Sequence, residues 1–422
     1  MSAFVSEEQL DYKRLLSNKD EHLSVIKKND VQSPFYFYSQ ADIYLQCAFV
    51  KIKFGEYTSC ALDLMRANSL LKKNRKLFPK FILNLKGLGM LHSMAGAVPT
   101  EFQWLSSIAG FEGTIEEGVG ELDSLFTSLE AADYDFLKPE VALLLFYLKT
   151  NFENVSNRNI ITALFSDSTL LKNPLVAFSY SGFLMKTGKA EEAIEILQNA
   201  DKSRELPFFL IEYRLGYAKF CRGDEDAIGH LLKFASSFKG KNYLRSGFRF
   251  IAWYYLLNND EKKYKQFIND VLLTGNTFID EDKDATREAK GDRIPNKRLL
   301  RARLFYDGGL FINAADAMKN SDGLMLKDKI DSVEYDYRSA RIAHAMADTS
   351  GAIVFYIKAF TDGKTLRYYY AANSALQLGR IYERRKEKEK AKEWFEKCLN
   401  LPAHDYKTSI DQKAKSGLER VK

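Results

Sequence analysis

The clearest alternation of apolar and polar positions runs from Ala372 to Pro402. Counted from Ala372, Leu378 and Gly379 stand at positions 7 and 8, Tyr382 at 11, Ala391 at 20, Phe395 at 24 and Cys398 at 27. Small residues at 8, 20 and 27 let two antiparallel helices approach closely, and the larger residues fill the space between them. A helix pair of about 34 residues built this way cannot bury its apolar face alone, so it stacks on copies of itself. The register recurs upstream. A unit starting at Pro174 has Gly188 at 15, Ala193 at 20 and Ala200 at 27, and one from Phe209 has Gly223 at 15 and Ala235 at 27. Units from Arg245 (Ala252 at 8, Tyr255 at 11), Pro295 (Ala302, Phe305, Gly309, Ala314) and Val333 (Ala340, Ala352, Ala359) repeat it. With Pro139 and Ala372 these starts predict seven stacked units over 139–422, closed by a C-terminal cap, with one long step between 245 and 295. An earlier unit, aligned on Gly55, has Ala48 at 8, Cys60 at 20, Leu64 at 24 and Ala67 at 27, and with the preceding helices it makes a first region of 1–71.

Between 72 and 138 the period is lost. Phe78–Ala95 is apolar on most faces, which predicts a helix buried on most faces. A helix over Glu101–Ala109, a turn at Gly110–Gly113 and an acidic helix over Thr114–Leu129 are expected to follow. This irregular insert is expected either to fill the hollow of the stack, plugging part of the groove, or to wedge between the first unit and the later seven.

The unit resembles the tetratricopeptide repeat, which implies an all-α, tetratricopeptide-type helical-repeat superhelix. A more specific resemblance rests on Pro99, Gly110-Phe111-Glu112-Gly113 and Gly118-Val119-Gly120-Glu121-Leu122. These look like the Pro…Gly-Phe-x-Gly…Gly…Leu block of the inclusion-body-clearance family of tetratricopeptide proteins. The stretches Asp280–Lys283, Arg301–Gly309 and Tyr370–Asn373 look like its bacterial members. The resemblance extends from about Phe35 to Leu418. Its eukaryotic members are cytosolic or associated with the mitochondrial outer membrane. Because the matching residues pack helices, the resemblance implies no catalytic residue and no enzymatic activity.

Composition changes this picture little. Hydrophobic residues at 46% supply a continuous core and exclude general disorder. The net charge of +6 is divided unevenly: Glu101–Glu140 holds ten acidic residues against Lys138, so the rest of the chain is strongly basic. Cys47, Cys60, Cys221 and Cys398 have no metal-ligand spacing and are expected to be free thiols, with a Cys47–Cys60 bridge as the alternative. No apolar run is long enough to span a membrane, and Met1–Asp20 lacks the apolar core of a signal peptide. A cytoplasmic location is expected from the chain as written, or a periplasmic one if a leader has been removed.

Candidate chemistry is sparse. Five isolated histidines give no zinc spacing, and neither a nucleophile elbow nor a Walker loop occurs. Gly87-Leu88-Gly89 lacks the strand of a phosphate loop and is expected to serve close helix packing. Asp280-Glu281-Asp282-Lys283-Asp284 opens like a calcium loop, but Ala285 and Gly291 stand where glycine and glutamate are needed, so an acidic helix start is expected. No catalytic, cofactor or metal residue is therefore assigned. A basic cluster (Arg293, Lys297, Arg298, Arg301, Arg303) and a Lys/Glu-alternating one from Arg384 to Lys392 could suggest nucleic acid, but the second has the pattern of a solvated helix face. No nucleic-acid partner is expected. The aromatic runs Phe35–Tyr38, Trp253–Tyr255 and Tyr368–Tyr370 exceed what one buried face can hold. First helices line the concave side of such stacks, where a peptide docks. The chain is thus expected to be a non-enzymatic scaffold binding a protein or peptide there, through Tyr254, Arg298, Arg301 and Tyr369. The alternative is a helical-repeat enzyme, or an accessory domain of one, with a site in the groove.

Overall fold

The computed structural model describes residues 2–97, 112–151, 158–202, 207–291, 293–319, 326 and 328–421, and among them there is no β-strand. Two N-terminal helices, α1 (Ser2–Ser6) and α2 (Gln9–Ile26), lead into the pair α3 (Pro34–Lys53) and α4 (Tyr57–Leu77). The next pair is α5 (Asn84–Ala97) and α6 (Ile115–Ser128). It is followed by α7 (Lys138–Asn151) with α8 (Arg158–Leu164), α9 (Pro174–Lys186) with α10 (Ala190–Asn199), and α11 (Leu210–Arg222) with α12 (Ala227–Ser237). After α13 (Leu244–Leu257) and α14 (Glu261–Leu273) comes a single helix, α15 (Asp280–Ala289). The stack ends with α16 (Lys297–Asp307) and α17 (Phe311–Lys319), α18 (Lys329–Ala345) and α19 (Thr349–Gly363), α20 (Tyr370–Arg384) and α21 (Lys388–Leu399), and the closing helix α22 (Lys407–Val421).

Local sequence explains where these helices start and turn. Ser33 before Pro34, and Asn173 before Pro174, accept from the first free N–H groups of α3 and α9, and the prolines supply the fixed φ of a first helical residue. In the seven pairs whose turn is fully described, it passes through one left-handed residue: Gly55, Gly188, Gly223, Asn259, Gly309, Ala347 and Lys386. Packing follows the small positions. Ala48, Ala252, Ala302 and Ala340 are fully buried on first helices, and the Phe395 ring fills the space left open at Gly379.

Within the irregular insert, the helix begins at Asn84 rather than Phe78. Phe78 ends α4, and residues 79–83 are turns. Leu83, Leu88 and Leu91 are buried, and the acidic α6, capped by Thr114, lies over α5. The two helices cross at Gly89 and Gly118, where a side chain on Gly118 would collide with Ser93 and with the Gly89 carbonyl. Lys86, 1% exposed, pins this pair between its neighbours by bonding Asp42 of α3 (2.7 Å) and Glu140 of α7 (3.0 Å). The expected helix over Glu101–Ala109, with Pro99 and Gly110-Phe111, lies outside the described residues. The single helix α15 occupies the long step. Its acidic start is helical as expected, and Asp282 accepts from the N–H groups of Tyr243 (2.7 Å) and Ser246 (2.9 Å) at the start of α13.

The stack curves tightly enough to touch itself. The turn residue Gly188 abuts Gly309, three pairs further on, and Glu7 accepts from the backbone N–H groups of Lys241 and Asn242 while pairing with Lys53. No described helix is long and apolar enough to cross a membrane.

Candidate functional site

Curvature encloses a hollow of about 1540 Å³, walled by α7, α9, α11, α13, α16, α18, α20 and α22, with the start of α15 at one side. Apart from α15, α22 and a few rings from second helices, the lining comes from the first helix of each pair. One helix face recurs: Tyr213, Arg214 and Tyr217 on α11; Arg303, Tyr306 and Asp307 on α16; Tyr337, Arg341 and His344 on α18; Asn373, Gln377 and Arg380 on α20. Residues three or four apart share a face, so each helix presents one cation beside aromatic or amide side chains. No residue between 72 and 138 lines the hollow among the described residues, so α5 and α6 do not plug it. The reason is that both helices spend their apolar faces on each other, on α4 and on α7.

Guanidinium groups and rings pair throughout. Arg341 lies 4.0 Å from the centre of the Tyr306 ring, Arg214 4.7 Å from Phe178, and Arg303 and Arg249 each 4.8 Å from Trp253. Tyr217 stacks on Phe250 at 4.3 Å and donates its hydroxyl to Asp307 at 3.3 Å. Burial first, and then Cys221 and Asp307, raise the Tyr217 hydroxyl far above the ordinary tyrosine range. Burial likewise raises the Cys221 thiol far above its usual value. At the other side, Arg380 and Lys186 both repel Lys413. Desolvation and then Arg420 lower Arg380, while desolvation and then Arg380 and Lys186 lower Lys413.

Of the four residues expected to bind a partner, Tyr369 alone lines the hollow. Tyr254 is half-buried against the core beside Phe220 and Tyr255, and Arg298 and Arg301 are exposed on faces of α16 that turn away from the hollow. Within the same basic cluster, Arg293 pairs with Asp331 and Glu334, Lys297 with Glu261, and Arg303 turns inward. The aromatic runs divide in the same way. Trp253 is buried and donates to Glu288 (2.6 Å), Phe37 and Tyr38 are core residues, and Tyr370 is buried beneath Tyr369. What sequence reading missed is a position. The residue after the small eighth position of the units at 295, 333 and 372 is Arg303, Arg341 and Arg380, and the same place in the unit at 209 is Tyr217.

All four cysteines are buried and free, Cys47 and Cys60 included. His92 of α5 meets Glu121 (2.8 Å) and Glu117 (3.5 Å) of α6, a grouping that could hold a metal ion. Arg75 shares Glu121 at 3.3 Å, so the group also reads as an ion-pair cluster bracing α4, α5 and α6.

Residues 372–405 match the family model of the tetratricopeptide repeat. The fold is a tetratricopeptide-type helical-repeat superhelix. Similar solved chains include an IFIT1 monomeric mutant with Gppp-AAAA (15% identity, 98% of this chain and 95% of that one, TM-score 0.31). The human IFIT1 dimer with PPP-AAAA has 13% identity over 93% and 94% of the two chains, with a TM-score of 0.30. The P58(IPK) TPR domain has 13% identity over 97% and 99%, with a TM-score of 0.24. No curated protein matches the chain.

Proposed function

We propose that this chain is a non-enzymatic binding scaffold that takes an extended segment of another protein into its hollow, and that it is kin to the inclusion-body-clearance proteins. The observation that carries the binding reading is the continuous lining of rings and cations contributed by successive first helices. Such a surface offers both apolar area and oriented donors, the combination that peptide grooves use. The kinship rests on the sequence block, of which Gly113 and Gly118 fall in the described structure at tight contacts with α5. The free, buried thiols favour a reducing, cytoplasmic setting.

A groove enzyme is the reading this displaces. The Tyr217 hydroxyl, which meets Asp307 in the hollow, is held protonated by burial. Cys221 is sealed and held protonated, and His344 faces the Arg384 guanidinium (3.0 Å) rather than a hydroxyl or thiol. A photo-crosslinking residue placed at Tyr147, 60% exposed at the hollow, is expected to form adducts with a discrete partner peptide, lost in an Arg341→Ala background. The same crosslinker at Leu62, exposed on α4 away from the hollow, is expected to give none. Equal adducts from both positions would refute the assignment of the binding face.

A further inference from the structure

Building on the scaffold reading, we infer that the segment bound in the hollow is acidic, and that its side-chain carboxylates sit on Lys186, Arg380 and Lys413, with Arg214 and Arg341 receiving the neighbouring part of the same segment. Eight basic side chains line the hollow against four acidic ones. Three of the eight are answered within the fold, Lys149 by Asp123, Arg303 by Asp307 and Arg249 by Glu288. The five named above have no carboxylate within salt-bridge distance among the described residues. Glu383, the acidic group that attracts Arg380, is already held by both arms of Arg420.

Lys186 and Lys413 are exposed and Arg380 is half-buried, so these uncompensated like charges weigh modestly against the empty protein. The repulsion is relieved by a ligand that brings negative charge. Arg214 and Arg249 both line this hollow, and the buried Nε atom of each has no acceptor within the fold. A guanidinium binds a carboxylate through paired N–H groups, so Arg214, Arg341 and Arg380 suit an Asp- or Glu-rich segment in chemistry as well as charge.

The arrangement favours such a segment over single-stranded nucleic acid. Bases need open ring faces on which to stack. Here one face of Tyr306 is covered by Arg341, of Phe178 by Arg214, and of Tyr217 by Phe250, and among the described rings of the hollow only Tyr147 and Phe278 keep wide exposure. Asp280, Glu281 and Asp284 on the side of α15 would also oppose a phosphate backbone, whereas a peptide can place neutral or basic residues there.

The test uses the full chain and three fluorescein-labelled probes, followed by anisotropy at low and physiological salt. The probes are a ten-residue glutamate-rich peptide with both termini blocked, its glutamine counterpart, and a ten-nucleotide poly-uridine RNA. With the termini blocked and the same label on both, the glutamate and glutamine peptides differ in negative charge only by their side-chain carboxylates. The glutamate peptide is expected to bind, to weaken with salt, and to lose at least tenfold in affinity in the Arg380→Ala/Lys413→Ala protein. That variant removes mutual repulsion, so its melting temperature is expected to hold or rise, which separates lost binding from lost folding. Arg66→Ala, exposed on α4 outside the hollow lining, is expected to bind within twofold of the parent.

Equal binding of the glutamine peptide, or none of the glutamate peptide, overturns the acidic assignment, while adducts at Tyr147 would still uphold a peptide scaffold. RNA bound more tightly, with the same dependence on Arg380 and Lys413, makes nucleic acid the occupant and overturns both. Salt-sensitive self-association in sedimentation, abolished by the double variant, makes the acidic partner a second copy of this chain and overturns the separate partner.

Discussion

Single side chains do more here than the repeat pattern requires. Asp282 was legible as part of an acidic helix start, yet its carboxylate is fully buried and caps the start of α13, accepting from Tyr243 and Ser246. Burial pushes its pKa up to about 6. Asp282→Ala leaves two backbone donors without partners and is expected to cost about 2–4 kcal/mol, read as a lower urea midpoint with unchanged helical circular dichroism. Glu212 shows the opposite sign. His230 (2.6 Å) chiefly, and Lys233 (2.5 Å) in addition, outweigh burial and hold its pKa down to about 2. A carboxylate lowered in the folded state stabilises fully above its ordinary value of 4.5, and that contribution is lost as pH falls towards 2. Glu212→Gln is therefore expected to cost about 1–2 kcal/mol at pH 7, after allowance for solvent screening, and almost nothing near pH 2. An equal gap between the two proteins in urea titrations at both pH values would show that the pairing of α11 with α12 does not depend on this charge.

At the level of the helix pair, legibility follows chemistry that glycine and alanine advertise. Gly55, Gly188, Gly223 and Gly309 marked the intra-pair turn, but Asn259, Ala347 and Lys386 adopt the same left-handed backbone without a glycine to announce it. In those units the register had to come from the small packing positions instead. Ala347→Gly is expected to stabilise by about 0.5–1 kcal/mol, because relief of left-handed strain exceeds the added chain entropy. A lower melting temperature for that variant would mean the turn is not strained. Ala391, fully buried against α20, has no room to grow, so Ala391→Leu is expected to cost about 1–3 kcal/mol by overpacking. The insert was the hardest pair to read, since its glycines, Gly89 and Gly118, serve a helix crossing instead of a turn and fall outside the repeat register. Its burial was legible from hydrophobicity, and a wedge between the first unit and the later seven was one of its two expected places, but the choice between them was not legible, because the Lys86 bonds to Asp42 and Glu140 span distant parts of the chain.

Curvature is a property of the whole stack, and it decides which residues face the hollow. Runs of aromatics suggested a binding face, but side-chain direction depends on the angle between successive pairs, which no single unit encodes. Hence Tyr254, Arg298 and Arg301 lie away from the hollow while Arg303, Arg341 and Arg380 line it. That angle is fixed in part where Gly188 meets Gly309, with Ala190 N–H reaching the Gly308 carbonyl at 3.4 Å. A Cβ on Gly309 would land inside the Gly188 carbonyl, backbone against backbone, so neither side can yield without separating the two pairs. Gly309 also has a φ of +82°, so any substitution there combines left-handed strain with the clash. Gly55 isolates the first of these, with a φ of +78° and nothing within 4 Å of an added Cβ. Gly55→Ala is expected to cost about 1 kcal/mol of strain and to leave the shape unchanged. Gly309→Ala is expected to cost more and to widen the hollow, read as a larger radius of gyration in small-angle scattering with helical content retained. If the two variants scatter alike, the contact between Gly188 and Gly309 is incidental, and the curvature must instead be held by the first-helix contacts of α11, α13 and α16.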